Sequence, residues 1–332
     1  MKALYQVAYG DPAEAVKLVD LPEPEPGPGQ AVVHMEAAAV HLADIKRFTG
    51  ERGFVGGELP RVPGYEGVGR VVSVGPGVGA FKPGDRVFPW WGAGTFAQLI
   101  CAPVDKMMPA PEGDAVQLSL MLVNGMTAVV LLEDFVDLKP GAWLVQNGAN
   151  SNCGRYLIVL ARERGVRTCN IVRRPEVAAE LKALGADAVV IDSEDPEELE
   201  RRVAEATGGA ERRLGIDMIA GPATGRLARA LSSGATLVNY GYMSGKPLEI
   251  HFNEMFFKDL KVVGMSTGRG LAKRPMDEIR RVYAKLATMI GAGDLRAAIA
   301  GTYTLDRYVE AFRQATRTGT ERDGKVILLP NG

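Results

Sequence analysis

The chain has 332 residues, more than one hydrophobic core usually organises, and so predicts two domains. Its 39 Lys and Arg residues are interleaved with 40 Asp and Glu residues, for a formal net charge of −1. No basic patch is threaded by aromatic residues, so nucleic acid is not an expected partner. Cys101, Cys153 and Cys169 are too widely spaced for a CxxC pair, and residues 1–7 lack the apolar core of a signal peptide. We therefore expect a protein of a reducing compartment, the cytoplasm.

The first 120 residues predict a β-rich domain with few helices. Short apolar runs are separated by a proline-rich connector at 21–29 and a glycine-rich stretch at 64–84. Residues 115–132 are uncharged, but their polar side chains make this segment a poor membrane span. We expect two buried helices there, meeting near Asn124 and Gly125.

From residue 142 onward, apolar runs of strand length alternate with helical patterns, as in a doubly wound α/β fold with a parallel sheet. The predicted strands are 143–146, 168–172, 188–191, 216–219, 236–240 and 261–264. Beyond residue 267 the pattern changes to helices at 275–290 and 308–316 and a terminal strand at 324–329. We assign 1–122 and 267–332 to one domain, and 123–266 to a dinucleotide-binding domain inserted between its halves.

A strand, a turn and a helix at 143–161 have the form of the phosphate-binding start of a dinucleotide-binding unit. Ser151 and Asn152 stand where two glycines of the usual fingerprint would be. The predicted cofactor contacts of this turn are Asn147, Asn150, Ser151, Asn152, Cys153 and Gly154. Arg173 and Arg174 end the next strand, where an NAD-binding protein usually carries an acidic residue. They suit the 2′-phosphate of NADPH, although a solvated strand end is the alternative explanation.

Several motifs resemble those of the medium-chain dehydrogenase/reductase superfamily and, within it, the zinc-free 2-enoyl thioester reductases. They are Gly64-Tyr65-Glu66-Gly67-Val68-Gly69, Val74-Gly75, Lys82-Pro83-Gly84-Asp85-Arg86-Val87, Gln146-Asn147 with Asn150-Ser151, Asn170-Ile171-Val172-Arg173, Tyr240-Gly241 with Met243, and Phe257-Lys258-Asp259-Leu260-Lys261. The resemblance implies a GroES-like catalytic domain with an inserted Rossmann domain, NADPH as cofactor, and a homodimer formed through the strand at 261–264.

The zinc branch of this superfamily would place its catalytic zinc ligands at His41, Tyr65 and Asn124. Zinc is held by Cys, His and carboxylate ligands, and His41 alone is of that kind. The cysteine-rich structural zinc lobe of the family has no counterpart in the chain. We therefore predict no metal.

Without zinc, the chemistry that the resemblance implies is hydride addition to an activated double bond. Negative charge then develops on the substrate carbonyl oxygen, and the α-carbon takes a proton. Enoyl thioester reductases are understood to use a tyrosine as proton donor, and Arg52 stands at that place here. Arginine is a poor proton source, so Tyr65 is the substitute candidate, with a structural tyrosine as the alternative. His41 is a third candidate, although no acid is paired with it in the sequence.

Other residues are predicted to contact the substrate or the cofactor, and Asn124 and Thr127 to line the cleft between the domains. Trp90 and Trp91, in the short loop that replaces the zinc lobe, can form an apolar wall for a substrate, or one can be core and the other a cover. By resemblance, the further cofactor contacts are Asn124, Thr127, Tyr240, Gly241 and Met243. Lys325 is a candidate for a cofactor phosphate, with an exposed lysine as the simpler explanation.

The leading hypothesis is an NADPH-dependent reductase of an activated double bond, above all a 2-enoyl thioester of coenzyme A or an acyl carrier protein. The first alternative is an NADPH:quinone oxidoreductase, or a reductase of a small enone or enoate that pairs with Arg52. The second is an NADPH-binding protein that has lost catalysis, which the missing tyrosine donor permits.

Overall fold

The computed structural model describes residues 1–317 and 324–332, and in it the chain forms two compact units. The first comprises Met1–Val123 with Met276–Gly332, and the second comprises Asn124–Pro275. Among the described helices, none has the length and apolar character needed to cross a membrane.

The first unit begins with seven strands and three short α-helices. The strands are β1 Lys2–Gln6, β2 Val16–Asp20, β3 Gln30–Val40, β4 Gly67–Val74, β5 Arg86–Phe88, β6 Leu99–Pro103 and β7 Met108–Pro109. The helices are α1 Pro12–Ala15, α2 Leu42–Phe48 and α3 Ala115–Leu118, with a 3-10 turn at Val104–Lys106. β3 alternates little and is buried along most of its length, which marks it as the centre of this unit.

The second unit is a parallel sheet with connecting helices. After a π-helical segment at Met121–Met126, its elements are α4 Thr127–Glu133, β8 Trp143–Asn147, α5 Asn152–Glu163, β9 Arg167–Val172, α6 Ala178–Ala183, β10 Ala188–Ile191, α7 Pro196–Ala206, β11 Arg212–Asp217, α8 Pro222–Ala230, β12 Thr236–Asn239, α9 Phe252–Phe256, β13 Lys261–Gly264 and α10 Thr267–Leu271. A 3-10 turn at Pro175–Val177 precedes α6. The strand order is β10-β9-β8-β11-β12-β13, all parallel, which is the Rossmann order.

The chain then returns to the first unit through α11 Met276–Ala292, β14 Ile299–Thr304, a 3-10 turn at Leu305–Arg307, α12 Tyr308–Thr316 and β15 Lys325–Leu329. These strands extend the first sheet to the order β14-β15-β3-β4-β5-β7, and β6 also pairs with β3. β15 lies antiparallel to β3 with Val326 opposite Val40, and β4 lies antiparallel to β3 with Gly67 opposite Ala38. The residues just beyond these pairs therefore gather at one end of the sheet.

The predicted fold class, a doubly wound parallel sheet inserted in a GroES-like β-rich domain, is confirmed. The compact units, however, divide at Pro275 rather than at the predicted 266/267 boundary. α10 stays with the second unit because Thr267 Oγ1 lies 2.5 Å from Thr127 Oγ1 and because Gly270 packs against Val130.

The prediction of two helices meeting at Asn124 and Gly125 is wrong in its detail. The short helix α3 and the helix α4 do form, but the π-helical segment runs through both residues and joins α4 without a break. The fourth predicted strand, 216–219, is also displaced, because β11 ends at Asp217. The chain turns after Asp217, whose carboxylate accepts hydrogen bonds from the loop that follows.

Candidate active site

The turn between β8 and α5 has the tight geometry that a phosphate-binding turn needs. Ser151 is the N-cap of α5, and its Oγ accepts a hydrogen bond from the Gly154 N–H at 3.1 Å. A Cβ at Gly154 would lie 2.6 Å from the Ala149 carbonyl oxygen, so a larger residue requires backbone movement. Asn150 is partly exposed, whereas Asn152 is buried in the first helical turn. The turn thus keeps a glycine at position 154, where the backbone packs closely against Ala149. Ser151 stands at the position of another fingerprint glycine and caps the helix.

The two amide side chains at the end of β8 are held inside the sheet. Gln146 Nε2 donates to Asn170 Oδ1 at 2.7 Å. Asn147 Nδ2 donates to Asp217 Oδ1 at 2.6 Å, and Asn147 Oδ1 accepts from the Met218 N–H at 2.8 Å. Contact of Asn147 with a cofactor stays a prediction, and the hydrogen bonds of its side chain show a structural role. Asn147 joins the end of β8 to the end of β11.

Asp217 has no motif around it that marks it as functional, yet it organises the carboxyl edge of the parallel sheet. This fully buried carboxylate also accepts from Thr224 Oγ1 at 2.7 Å and from Asn239 Nδ2 at 2.9 Å. Two backbone N–H groups of the next loop donate to it, one of them from Ala220, whose φ is +64°. Asp217 thereby links β8, β11 and β12 beside the point where the strand order reverses, which is where doubly wound folds bind ligands.

Arg173 and Arg174 directly follow the last residue of β9 at the same edge of the sheet. Arg173 is exposed and Arg174 is partly buried, and with the described residues neither guanidinium makes a hydrogen bond or an ion pair. Arg155 differs, since both of its terminal nitrogens bind the carboxylate of Glu180. The two strand-end arginines therefore fit an anionic group of a dinucleotide.

The predicted residues after β12 pack against the start of α5 and the end of β11. Burial raises the pKa of Tyr240 well above its ordinary value, and its hydroxyl also interacts with Cys153 and Ser151. A Cβ at Gly241 would lie 2.4 Å from the carbonyl oxygen of Met218, so glycine is required for this close packing.

The other predicted cofactor residues of the second unit are more dispersed. Met243 is exposed, and its N–H donates to the Met218 carbonyl at 3.3 Å. Thr127 is buried, with its hydroxyl on Thr267 Oγ1, and Asn124 is buried in the π-helical segment. Contact of these three residues with a cofactor stays a prediction.

In the first unit, three titratable side chains meet where β3, β4 and β15 come together. His41 Nε2 lies 2.6 Å from Glu66 Oε1, and Lys325 Nζ lies 3.1 Å from His41 Nδ1. Glu66 Oε2 accepts from the N–H groups of Leu122 and Val123, at 2.7 and 3.0 Å. His41 therefore has the acid partner that its sequence neighbours do not supply. We name His41, Glu66 and Lys325 the buried charge network.

Two carboxyl groups here have strongly perturbed pKa values. Burial raises the pKa of Glu66 to about 8, against the opposing effects of the Val123 and Leu122 N–H groups and of Lys325. Asp44 Oδ2 accepts from the His41 N–H at 2.8 Å, and burial raises the pKa of Asp44 to about 7. Both acids therefore titrate near neutral pH, the range in which acid–base chemistry operates.

Tyr65 precedes Glu66, and its ring packs between an arginine and a tryptophan. The Arg47 guanidinium carbon lies 4.9 Å from the ring centroid, and Trp91 meets the ring edge-on with centroids 5.0 Å apart. Tyr65 is 7% exposed, but its hydroxyl makes no hydrogen bond within the described part of the chain. Burial raises its pKa, which Arg47 lowers in part, so the phenol is protonated at neutral pH. A buried structural tyrosine usually has a bonded hydroxyl, so the unbonded hydroxyl of Tyr65 favours the donor prediction without testing it.

The other predicted residues of this unit lie differently. Arg52 is exposed beyond the end of α2, and no hydrogen bond or ion pair joins it to His41, Tyr65 or any other described residue. Arg47, which no motif singles out, is the arginine that the fold places on Tyr65. Trp90 is partly buried, and its carbonyl accepts from the Ala93 N–H at 3.2 Å in the turn that presents Trp91.

The donor set does not fit the catalytic zinc of the zinc branch. Both ring nitrogens of His41 are engaged, one by Glu66 and the other by the Lys325 side-chain nitrogen, and an ammonium there would repel a metal ion. Tyr65 and Asn124 contribute a phenol and an amide, which are poor zinc ligands. These three side chains therefore do not form a zinc site of that kind.

Two family models match the chain: alcohol dehydrogenase GroES-like domain over residues 27–112, and zinc-binding dehydrogenase over residues 153–287. The mitochondrial enoyl-[acyl-carrier-protein] reductase of Bos taurus is 32% identical over 325 residues, which is 96% of this chain and 86% of that protein. These matches together span both units of the fold.

Solved structures share the whole fold. A putative NADPH:quinone reductase from Bacillus thuringiensis is 25% identical with a TM-score of 0.89, over 99% of this chain and 98% of that one. The mycobacterial protein Rv1454c, solved in complex with NADPH, is 27% identical with a TM-score of 0.84, over 99% of this chain and 100% of that one.

The chain belongs to the medium-chain dehydrogenase/reductase family of oxidoreductases. Within that family it is similar to proteins named enoyl-[acyl-carrier-protein] reductases, as the sequence motifs predicted.

The raised pKa of Glu66 predicts a pH-dependent stability. Because the folded acid keeps its proton up to about pH 8, while its ordinary pKa is 4.5, the folded state binds more protons than the unfolded state in between. The contribution of Glu66 to the free energy of unfolding is therefore complete below that ordinary pKa and is lost as the pH rises through the folded pKa. Glu66→Gln removes this titration.

Urea denaturation of wild type and Glu66→Gln at acid, neutral and alkaline pH measures the effect. We expect the difference in unfolding free energy to move in favour of the variant with rising pH, by on the order of a few kcal/mol. Glu14→Gln, an exposed position, is the matched control and should show no such trend. Parallel curves for wild type and Glu66→Gln would contradict the prediction.

Proposed function

We propose that this protein reduces the carbon–carbon double bond of a 2-enoyl thioester of coenzyme A or an acyl carrier protein, with NADPH as reductant. The observation that carries the proposal is the hydroxyl of the buried Tyr65, which has no hydrogen bond to the described residues, in a chain whose relatives are named enoyl-[acyl-carrier-protein] reductases. When bound, NADPH supplies the hydride that adds to the β-carbon of the substrate. The chain's own residues must bind the cofactor, protonate the α-carbon and stabilise charge on the carbonyl oxygen.

Support for NADPH comes from the carboxyl edge of the parallel sheet. The N-terminus of α5, capped by Ser151 and approached closely at Gly154, suits a pyrophosphate. Arg173 and Arg174 stand at the end of the second strand of this sheet, where the adenosine ribose of a dinucleotide lies in such folds. Two guanidinium groups there favour a 2′-phosphate over a 2′-hydroxyl.

Replacing both arginines should remove the preference for NADPH over NADH. For Arg173→Ser combined with Arg174→Ser, we expect the Kd of NADPH to rise about tenfold to hundredfold and the Kd of NADH to change little, because charge-assisted bonds to the phosphate are lost. Fluorescence titration of both cofactors measures this. Arg213→Ser, which removes another exposed arginine of the same unit, is the control. Equal weakening of both cofactors would contradict the assignment.

Tyr65 is the proposed proton donor. Its raised pKa keeps the proton on the phenol until the reaction needs it, and the Arg47 guanidinium over the ring stabilises the phenolate that proton transfer leaves. Trp91, against the same ring, contributes an apolar wall beside the hydroxyl. Arg52 is a poor proton source, and it makes no hydrogen bond to Tyr65 in the described structure.

Removing the Tyr65 hydroxyl should slow turnover while leaving cofactor affinity unchanged. In Tyr65→Phe we expect kcat with crotonyl-coenzyme A to fall about 100-fold to 10,000-fold, the usual contribution of a positioned acid. Oxidation of NADPH measures turnover, and fluorescence measures binding. Tyr5→Phe, at a partly exposed tyrosine of β1, is the control. Unaltered turnover in Tyr65→Phe would reject this residue as the donor.

The same assay separates the proposed substrate from the alternatives. The similarity to a putative NADPH:quinone reductase supports a quinone as the second candidate substrate. Wild-type enzyme that oxidises NADPH with a quinone, and not with crotonyl-coenzyme A, overturns the proposed function. Tight NADPH binding without turnover on enoyl, enone and quinone substrates would support a protein that has lost catalysis.

We further propose a homodimer. β13 forms the open edge of the parallel sheet, and nearby α9 exposes Phe252, Phe256 and the following Phe257 at 62%, 67% and 72%. Phe252 and Phe256 stack on each other and Phe257 meets both rings edge-on, with centroids 5.0 to 6.1 Å apart. An open strand edge beside a compact aromatic patch on one chain suits pairing with a second copy about a twofold axis.

Charging this patch should leave a folded monomer. For Phe256→Asp combined with Phe257→Asp, we expect light scattering to give the mass of one chain, 35.5 kDa, where wild type gives twice that value. Val72→Asp, at another exposed apolar residue, should remain dimeric. A monomeric wild type, or a dimer that survives both substitutions, would count against this interface.

The cytoplasmic location also remains a proposal. In the described structure no disulfide involves Cys101, Cys153 or Cys169, which agrees with a reducing compartment. The relatives are named as mitochondrial proteins, so cell fractionation has to distinguish the two locations.

A further inference from the structure

Lys325 places its side-chain amine beside His41 at one end of the first sheet. Its Nζ is 3.1 Å from Nδ1 of His41, the residue at a zinc-ligand position of the zinc branch. It begins β15, whose pairing with β3 sets Val326 opposite Val40 and so brings Lys325 level with His41. The side chain is partly buried rather than fully exposed, in contrast to a solvated surface lysine.

The contacts of His41 identify it as a support for Lys325. An ammonium group has only donors, so His41 Nδ1 accepts from it and His41 Nε2 carries the hydrogen. That hydrogen points to Glu66 Oε1, which lies 2.6 Å from Nε2. The second ring nitrogen is therefore also engaged. With both nitrogens engaged, His41 has none left to protonate a substrate. It is a positioning residue that connects Lys325 to the buried Glu66.

Glu66 is itself held rigidly. Oε2 accepts from two backbone N–H groups, and its own carbonyl accepts from Thr95 Oγ1 at 2.9 Å. The hydrogen bonds from Glu66 to His41 and from His41 to Lys325 therefore hold the ammonium group of Lys325 in one position. Preorganised charges of this kind stabilise a developing anion without having to reorient during the reaction.

We propose that Lys325 is the group that stabilises the negative charge on the carbonyl oxygen of the substrate, in the place where the zinc branch uses its metal. This inference rests on the proposed function and assigns a further catalytic residue to the same site. It differs from the earlier expectation that Lys325 binds a cofactor phosphate. The other nearby cation, Arg47, is stacked on Tyr65 and donates to the Phe54 carbonyl.

The reaction moves one hydride and one proton to the substrate. Hydride from NADPH forms the new C–H bond at the β-carbon, and the π electrons of the double bond move to give an enolate. Lys325 donates a hydrogen bond to the enolate oxygen and keeps its proton. Tyr65 transfers its proton to the α-carbon as the carbonyl re-forms, and the phenolate is then reprotonated from water.

Three readouts on Lys325→Met, Lys325→Gln and Lys325→Arg test the proposal: kcat with crotonyl-coenzyme A, the Kd of NADPH, and the ultraviolet spectrum of crotonyl-coenzyme A bound with NADP⁺. NADP⁺ carries no hydride, so this last complex cannot react, and the enoyl absorbance reports polarisation of the carbonyl. In the Met and Gln variants we expect kcat to fall about 100-fold, the Kd of NADPH to stay within about twofold, and the red shift of the enoyl band to disappear. Lys325→Arg should retain part of the shift and of the rate. Lys17→Gln, at an exposed lysine of the same unit, is the control.

Two results would overturn the inference while the proposed function stands. One is a Met variant and a Gln variant with the wild-type rate and spectrum. The other is a raised Kd for NADPH with the red shift retained, which assigns Lys325 to the cofactor. If wild type turns over a quinone and not crotonyl-coenzyme A, the proposed function fails and the inference fails with it. Two neutral replacements, one apolar and one polar, keep the test valid if either variant does not fold.

Discussion

The antiparallel pairing of β3 with β4 on one side and β15 on the other is the constraint on which the catalytic unit depends. Its register sets Gly67 opposite Ala38 and Val326 opposite Val40. The next residues along these strands, His41, Glu66 and Lys325, therefore meet although they are far apart in sequence. Burial at this meeting point raises the pKa of Glu66, and the same burial makes the hydrogen bonds of the buried charge network strong.

In the second unit, one buried carboxylate holds the loops at the carboxyl edge of the parallel sheet. Parallel strands end at a common edge, but nothing in the sheet itself fixes the loops that leave it. Asp217 binds Asn147 and Asn239 from neighbouring strands and the N–H groups of its own loop. A left-handed residue with a side chain, Ala220, is tolerated because these bonds compensate its strain. The edge that faces a dinucleotide in such folds is thus preorganised by hydrogen bonds within the protein.

The sequence predicted the elements of the second unit well because each has a strong local signal. Apolar runs that alternate with helical patterns predict parallel strands joined by helices. Pro196, directly after Asp195, marks the start of α7, where the Asp195 side chain accepts from the Glu197 N–H. The same local reasoning failed at residues 115–132, where a uniform apolar pattern cannot distinguish two helices from one run with a π-helical turn. It also placed the domain boundary too early, because the contact of Thr267 with Thr127 spans 140 residues.

The chain by itself determined its family, its alternating α/β insertion and its two strand-end arginines, since motifs, periodicity and strand ends are written in consecutive residues. The tertiary structure alone decided which side chains act together. Arg47, not Arg52, lies on Tyr65, because α2 carries Arg47 toward the ring while the chain beyond it turns outward. Glu66 partners His41, and Asn147 turns into the sheet toward Asp217, because these contacts depend on strand register and burial between distant segments. Sequence neighbours carry no record of such pairings, since register is set by packing over the whole sheet.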